Sequence, residues 1–564
     1  MDLDALVAAA QAWIAGDPDE RTRDALAAMV VTRDAEALAG HVGTQLTFGT
    51  AGLRGEVGPG PNRMNRAVVI RTSRGLAEHL LAEGTADRGV VVGFDARHDS
   101  ERFARDVVAT LAGAGIRVWW YPTPQPTPMV AYAQKVLGAA AAVVVTASHN
   151  PPADNGYKVY AEGAAQIVPP TDASIAAAIE QVGPATEVPR VDLVASELVT
   201  PVDAEVLDRY LAEVAAIRPA VAGPAIRIAY TPLHGVALPM LRRAMTAAGH
   251  DDLHVVASQA EPDGDFPTVS FPNPEEPGAM DALLALAAEV DAQLAIANDP
   301  DGDRIAAAVP HRGGWRPLTG NQLGVLLADH LLSGTRVDRP LVVSSIVSTP
   351  MVADVAAAYG ARAEVSLTGF KWICAAARAL ERDEGYRFVY GFEEALGSCI
   401  DNVVHDKDGI SAAVVLADLA RSLAAEGRTL LDRWDELCER HGRWVSHQHS
   451  VVRPGLDGAA QIAAAMARLD GWAPTELAGQ QVTSTTDFRT GADQRPPWLA
   501  AQDLVLLELT DGRVMIRPSG TEPKCKIYVD LRTTTTGDPD TADAELRARA
   551  EAVALALAEA VGLA

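Results

Sequence analysis

An apolar run, Gly138 to Val145, ends at Thr146-Ala147-Ser148-His149-Asn150-Pro151, and Asn155-Gly156-Tyr157-Lys158 follows it. Alanine and valine without polar alternation describe a strand buried on both faces, as in sheets covered by helices. Pro151 and Pro152 bar both a longer strand and an immediate helix. Ser148 is thereby expected on a tight loop just past the carboxyl end of a strand, where open α/β sheets place their chemistry. A Ser-Asn-Pro turn that only caps its own backbone is written with the same letters. The loop gains meaning from what the chain places at its other strand ends.

The strand–helix–strand grammar recurs three times. Val90 to Phe94, Ser100 to Leu111 and Arg117 to Tyr121 read as strand, helix and strand before the run into Ser148. Ile226 to Tyr230, Leu238 to Ala248 and Leu253 to Val256 repeat it, and Met280 to Glu289 leads into Gln293 to Ala297, which stops at Asn298-Asp299. Leu341 to Ile346, Met351 to Tyr359 and Ala363 to Leu367 form the third set, and a helix after Lys371 leads into Arg387 to Tyr390, which stops at Gly391-Phe392-Glu393. Each unit delivers a polar loop past a strand end. After about residue 440 the pattern changes to a hairpin of Leu504 to Leu509 and Val514 to Arg517 about an Asp511-Gly512 turn. A strand, Lys526 to Leu531, and an alanine-rich helix, Asp543 to Ala560, complete it. The spacing of Leu3, Leu6, Val7, Ala10, Trp13 and Ile14 predicts an opening amphipathic helix that packs on the chain's own core. Gly183 to Pro201 reads as a linker, and Pro262 to Pro277 as a long surface loop.

A chain of 564 residues is too long for one core. The predicted parts are 1–205 with the serine loop, 206–312, 313–445 and a C-terminal α+β part, 446–564. A net charge of −26 argues against non-specific binding to nucleic acid or to an anionic membrane. Cys374, Cys399, Cys438 and Cys525 are scattered, with neither disulfide nor zinc-ligand spacing. No apolar run approaches a membrane span, and Met1-Asp2-Leu3-Asp4 lacks a signal pattern, so a cytoplasmic location is expected.

Three further motifs complete the reading. Asp299-Pro300-Asp301-Gly302-Asp303-Arg304 puts carboxylates at i, i+2 and i+4, which in an extended segment face one way and suit a hard divalent cation, magnesium above all. An EF-hand is excluded, because Arg304 stands where glycine is needed and Pro310 where glutamate is needed. Gly391-Phe392-Glu393-Glu394-Ala395-Leu396-Gly397 offers a carboxylate to sugar hydroxyls. Arg517-Pro518-Ser519-Gly520-Thr521-Glu522-Pro523-Lys524, on a loop between strands, offers a fork, two hydroxyls, a glycine amide and a lysine to a phosphate dianion. Phe48-Gly49-Thr50-Ala51-Gly52-Leu53-Arg54-Gly55 reads as a short glycine-rich loop that brings an arginine close to an anion. These pieces imply one chemistry: a phosphoryl group carried by Ser148 and balanced by a cation on the aspartates, with His149 or Lys158 moving the proton.

The four motifs, in this order, resemble the phosphohexomutase superfamily of phosphoglucomutases and phosphomannomutases from about Phe48 onward. The resemblance implies three similar α/β domains with mixed sheets plus a C-terminal α+β domain around a central cleft. It implies a phosphoserine at Ser148, which joins Asp299, Asp301 and Asp303 as a magnesium ligand, with His149, Lys158 and Arg54 at the reaction centre. It further implies substrate contacts at Arg304, Thr368, Gly369, Lys371 and Glu393, and phosphate contacts at Arg517, Ser519, Gly520, Thr521 and Lys524. The implied partner is a small phosphosugar, with a sugar bisphosphate such as glucose 1,6-bisphosphate as priming activator. Neither nucleic acid nor membrane is expected as a partner, and the chain is expected as a monomer or homodimer. Many hexose-specific members read Glu-x-Ser in the sugar loop. Glu393-Glu394-Ala395, with Asp406-Lys407-Asp408-Gly409 after it, resembles the branch that also holds phosphopentomutases. A serine hydrolase is excluded because no G-x-S-x-G elbow exists. The intact Ser148 and aspartate triplet argue against a phosphosugar-binding protein without turnover.

Overall fold

Strands with no exposed face form the centre of the first sheet in the computed structural model, which describes residues 1–49, 52–453, 457–519, 524–534 and 537–564. The chain forms two compact units. One is Met1–Arg218 with Pro224–Pro317 and Gly397–Arg421; the other is Pro219–Gly223 with Leu318–Leu396 and Ser422–Ala564.

In the first unit, helices Leu3–Gly16, Glu20–Thr32 and Ala35–Val42 each start at an aspartate, Asp2, Asp19 or Asp34, whose carboxylate accepts a backbone N–H of the first turn. Leu6, Ala10, Leu26, Leu38 and Val42 bury the faces they share. The first sheet holds β1 (Leu53–Glu56), β2 (Val90–Phe94), β3 (Val118–Trp120), β4 (Ala141–Val145), β5 (Asp154–Tyr160) and β6 (Val199–Pro201), in the order β1-β5-β4-β2-β3-β6. Its core is parallel, and β5 and β1 run antiparallel beyond β4.

Two expectations are corrected here. The stretch read as a linker ends in β6, an edge strand parallel to β3, where a terminal Pro201 removes no ladder bond from a central strand. Arg54 lies on strand β1 opposite Gly156 rather than on a loop, because Leu53 and Glu56 pair with β5 on either side of it.

The second sheet takes β7 (Ile228–Thr231), β8 (Leu253–Val255), β9 (Leu294–Ala297), β10 (Ala306–His311) and β11 (Gly314–Pro317) in the order β11-β10-β9-β7-β8. The other unit repeats the parallel arrangement with β13 (Arg362–Ser366), β12 (Pro340–Ser345) and β14 (Arg387–Glu393) side by side. β15 (Gly397–Ile400) lies in the first unit, where Gly397 bridges Arg304. The last sheet is antiparallel and holds β16 (Arg443–Val452), β17 (Glu476–Leu477), β18 (Gln480–Asp487), β19 (Val505–Leu509), β20 (Gly512–Pro518) and β21 (Lys524–Thr533). Helix Pro539–Ala560 buries Leu546, Val553 and Leu557 in the core of that sheet. The hairpin turn is Thr510-Asp511 rather than Asp511-Gly512, since Gly512 already pairs with Leu509. Three α/β parts and a C-terminal α+β part are therefore present, as the sequence implied. The four cysteines are buried, and none of them is in a disulfide. Among the described residues no helix is long and apolar enough to cross a membrane.

Helix Gly409–Ala425 is anchored by a buried charge. The Asp418 carboxylate accepts Arg218 Nε at 2.6 Å and Nη2 at 2.7 Å, and faces His250 Nε2 at 2.8 Å. Burial favours the neutral acid, yet Arg218 and His250 hold the Asp418 pKa below the ordinary carboxylate value. Removing one partner of a buried pair leaves the other charge uncompensated. We predict that Asp418→Ala lowers the unfolding free energy by roughly 3–5 kcal/mol in urea titration. A folded pKa below the unfolded one gives stability that is present above the unfolded value and is lost as pH falls through the folded one. The gap between wild type and variant should therefore close in acid.

Candidate active site

The Ser148 loop is held by one arginine. Ser148 adopts φ +54, a left-handed conformation that costs energy for a residue with a Cβ. Its backbone N–H donates to Thr146 Oγ1 at 2.8 Å, and Thr146 Oγ1 donates to Asp95 Oδ2 at 2.6 Å. The Arg97 guanidinium, 4% exposed, donates to the carbonyls of Ser148 at 2.8 Å, Pro151 at 2.7 Å and Asp154 at 3.1 Å, and also to that of Asn150. A planar fork of fixed donors suits this convergence, which a lysine could not reproduce. Arg54 Nη1 reaches Asn150 Oδ1 at 3.0 Å, which brings β1 onto the same loop.

Across from Ser148 lie three wholly buried carboxylates, Asp299, Asp301 and Asp303, each offering an oxygen within 4.8 Å of the others. Ser148 Oγ donates to Asp299 Oδ2 at 2.9 Å. The aspartates do not converge by extended alternation, as the sequence suggested. They converge on a turn, where Gly302 takes φ +69 and its N–H donates to Asp299 O at 2.9 Å. Two glycines elsewhere let other backbones approach this turn. A Cβ on Gly235 would lie 2.4 Å from Pro300 Cα, and one on Gly409 2.3 Å from Arg304 O.

Lysines and a hydroxyl balance the charge. Lys158 Nζ lies 2.7 Å from Asp301 Oδ2 and 3.1 Å from Asp303 Oδ2, and Lys407 Nζ lies 3.2 Å from Asp303 Oδ2. Thr127 Oγ1 donates to Asp301 Oδ2 at 2.7 Å. Burial, with Asp301 and Asp303 nearby, raises the Asp299 pKa well above the usual carboxylate range. Burial also opposes ionisation of Asp301, but the Lys158 ammonium and Thr127 hold its pKa well below that range. Lys158 pays a desolvation cost of its own, and the two aspartates more than offset it, so its pKa is raised. Asp301 Oδ1 and Asp303 Oδ1 are buried without a hydrogen-bond partner. Buried, unpartnered carboxylate oxygens beside a third carboxylate are the donor set a hard divalent cation takes, so these residues fit magnesium.

His149 Nδ1 lies 3.1 Å from Ser148 Oγ. Burial and the Arg304 and Arg54 guanidiniums push its pKa well below the ordinary histidine value, so the imidazole is neutral. The Arg304 N–H donates to Asp299 Oδ1 at 3.0 Å, and its Nη1 lies 3.4 Å from Glu275 Oε2.

In the other unit, Glu393 ends β14, and its Oε1 accepts the Gly369 N–H at 2.6 Å. Gly369 takes φ +113 just before helix Phe370–Glu384, whose first turn carries Lys371. Thr368 Oγ1 is buried without a partner. Glu394 Oε2 accepts Ser345 Oγ at 3.0 Å and Ser348 Oγ at 3.4 Å. Arg517 and Lys524 lie within β20 and β21 rather than on the loop between them. Ser519 N–H donates to Lys524 O at 2.7 Å and closes the base of that hairpin. Gly520 and Thr521 lie outside the described residues. Arg97, Asp95, Thr127 and Lys407 were not assigned to the site from the sequence. For Lys407 the quoted Asp-Lys-Asp-Gly run was a usable signal. An arginine after a buried strand carries none.

Family models described as phosphoglucomutase/phosphomannomutase, alpha/beta/alpha domains I, II and III, match residues 45–185, 208–314 and 319–441, and the C-terminal domain model matches 490–553. A relative from Haemophilus influenzae described as "probable phosphomannomutase" is 41% identical over 485 residues, 85% of this chain and 95% of its own. A human phosphopentomutase is 32% identical over 552 residues, 92% of this chain and 90% of its own. A solved phosphoglucomutase/phosphomannomutase family protein from Burkholderia thailandensis shares the fold with a TM-score of 0.68 at 20% identity, covering 91% of this chain and 97% of that one.

The loop geometry predicts that Arg97→Lys, which keeps the charge but loses the fork, lowers turnover by on the order of a hundredfold, as a misplaced reacting group does. Magnesium affinity, measured by calorimetry, should change little. Gly235→Ala should do the reverse, displacing the aspartate turn and weakening magnesium binding in the same titration.

Proposed function

The chain belongs to the phosphoglucomutase/phosphomannomutase family and is a phosphosugar mutase, and on that premise we propose that it exchanges the 1- and 6-phosphates of a hexose through a phosphoserine at Ser148. The observation that carries this reading is the 2.9 Å contact of Ser148 Oγ with Asp299, inside a cluster of carboxylates whose remaining oxygens suit a cation. Asp299, Asp301 and Asp303 would hold magnesium, which would supply charge neutralisation for a transferred phosphoryl group. In each half-reaction the phosphorus–oxygen bond at one hydroxyl breaks as another forms, and the attacking hydroxyl loses its proton.

The chain's residues divide the remaining work. Arg97 and Thr146 hold Ser148 in its strained conformation, so the oxygen does not reorganise between transfers. His149, neutral and 3.1 Å from Ser148 Oγ, takes the proton from a hydroxyl and returns it. Lys158 stays charged against Asp301 and Asp303, and Lys407 pairs with Asp303. Arg517, Ser519 and Lys524 grip the phosphate that is not transferred, Arg304 and Lys371 contact the substrate's phosphates, and Glu393 binds a sugar hydroxyl.

A second reading, exchange of the 1- and 5-phosphates of ribose or deoxyribose, has its own support. The Glu394 carboxylate is engaged by Ser345 and Ser348, and Ala395 contributes only a methyl. Glu393 thus carries sugar recognition in this loop alone, and a site with fewer polar contacts discriminates less against an analogue lacking one hydroxyl. A sugar bisphosphate such as glucose 1,6-bisphosphate would prime Ser148 in either case.

Two tests follow from these roles. Asp301→Ala should abolish nearly all turnover while melting within a few degrees of wild type, and EDTA should inactivate the wild type until magnesium is restored. Activity that survives EDTA unchanged would refute the metal role. Glucose, mannose, ribose and deoxyribose 1-phosphates compared by kcat/KM should all be turned over, hexoses best. Ala395→Ser should then raise the hexose-to-pentose ratio by roughly tenfold, about the worth of one hydrogen bond to a sugar hydroxyl.

A further inference from the structure

The N-terminal helices, which precede the first family match, close over a cavity of about 330 Å³ against helix Arg66–Ala82 and the turn at Val182–Ala185. Ala9, Ala12, Val42, Ala67 and Val182 make its walls largely apolar. Two polar groups break that surface. Trp13 Nε1 is buried with no hydrogen-bond partner. Arg71 donates Nε and Nη2 to the carbonyl of Val182, at 3.3 and 3.1 Å, and its guanidinium stands 5.8 Å from the Trp13 ring centroid.

Among the described residues no carboxylate forms an ion pair with Arg71, in a protein whose net charge is −26. Burial alone lowers its pKa, and no acid offsets the shift. The neighbouring Arg74, by contrast, pairs with Glu78. A half-buried guanidinium without a counter-ion beside an unpaired indole N–H is an unfilled set of donors, since buried charges are normally paired. An adjoining cavity shares Trp13, Pro61 and Arg71 and extends to Leu46, Phe48 and Leu53, with Gln45, Thr47, Thr72 and Glu180 as its polar lining.

We propose that this cavity binds a small organic monocarboxylate with an aromatic or branched aliphatic body. The apolar walls take the body, Arg71 Nη1 takes the carboxylate, and Trp13 Nε1 donates to its second oxygen. A phosphate ester fits less well, because a dianion calls for more donors than one guanidinium and one indole supply. The site is separate from Ser148 and from the aspartate turn.

The test uses the full chain and fluorine NMR of para-trifluoromethyl phenylacetate, with the matched phenylacetamide as the uncharged control. We expect saturable broadening for the acid, unaffected by excess glucose 1-phosphate and inorganic phosphate. Binding of the amide should be roughly tenfold weaker, as loss of a charge-assisted hydrogen bond implies. Arg71→Met should remove the preference for the acid, and Trp13→Phe should weaken the acid several-fold while leaving the amide less affected. Equal binding of acid and amide to the wild type, displacement by either phosphate, or no binding overturns the proposal. The acid–amide comparison on wild type decides the matter even if Arg71→Met does not fold.

Discussion

Three carboxylates cannot lie buried within 4.8 Å of one another unless positive charge comes to them, and the first unit is arranged so that it does. The ammonium of Lys158 arrives on β5 and that of Lys407 just before helix Gly409–Ala425, while Thr127 opens the helix Thr127–Leu137 against Asp301. Segments more than a hundred residues apart in sequence are thereby tied to one turn of five residues. Close backbone approach at Gly235 and Gly409 is the steric side of the same requirement.

Much of this was legible because the relevant signals are local. Buried parallel strands announce themselves as uninterrupted valine and alanine, as in β2 and β4, and a serine before two prolines must leave the strand. Asp-Pro-Asp-Gly-Asp betrays crowding of like charge at any conformation, so the acidic cluster was readable although its geometry was misjudged. Alternation along an extended segment and convergence on a turn give the same letters. Pro300 and a Gly302 at positive φ decide for the turn.

What the sequence hid is non-local. Arg97 stands after a strand like many surface arginines, and nothing near it in sequence says that the carbonyls of Ser148, Asn150, Pro151 and Asp154 will meet on it. Buried carbonyls need donors, and a loop that turns sharply around prolines has few amides to offer, so a side chain must supply them. Arg54 was misplaced for a related reason. Its glycine-rich surroundings read as a loop, but in the fold Gly156 stands opposite it, and the pairing with β5 makes Arg54 and Gly55 part of an antiparallel ladder.

The division between His149 and Lys158 follows from what each one faces. From the sequence either could move a proton. Lys158 lies against two carboxylates, so its ammonium is stabilised and its proton is hard to remove. His149 is buried and faces the guanidiniums of Arg304 and Arg54; burial first, and then those charges, disfavour the imidazolium and leave the ring neutral, with Nδ1 3.1 Å from Ser148 Oγ. A group that must accept a proton needs to be found without one, and a group that must neutralise carboxylates needs to keep its own. On the proposed mechanism, charge placement accordingly suits the histidine to the exchangeable proton and the lysine to the permanent charge.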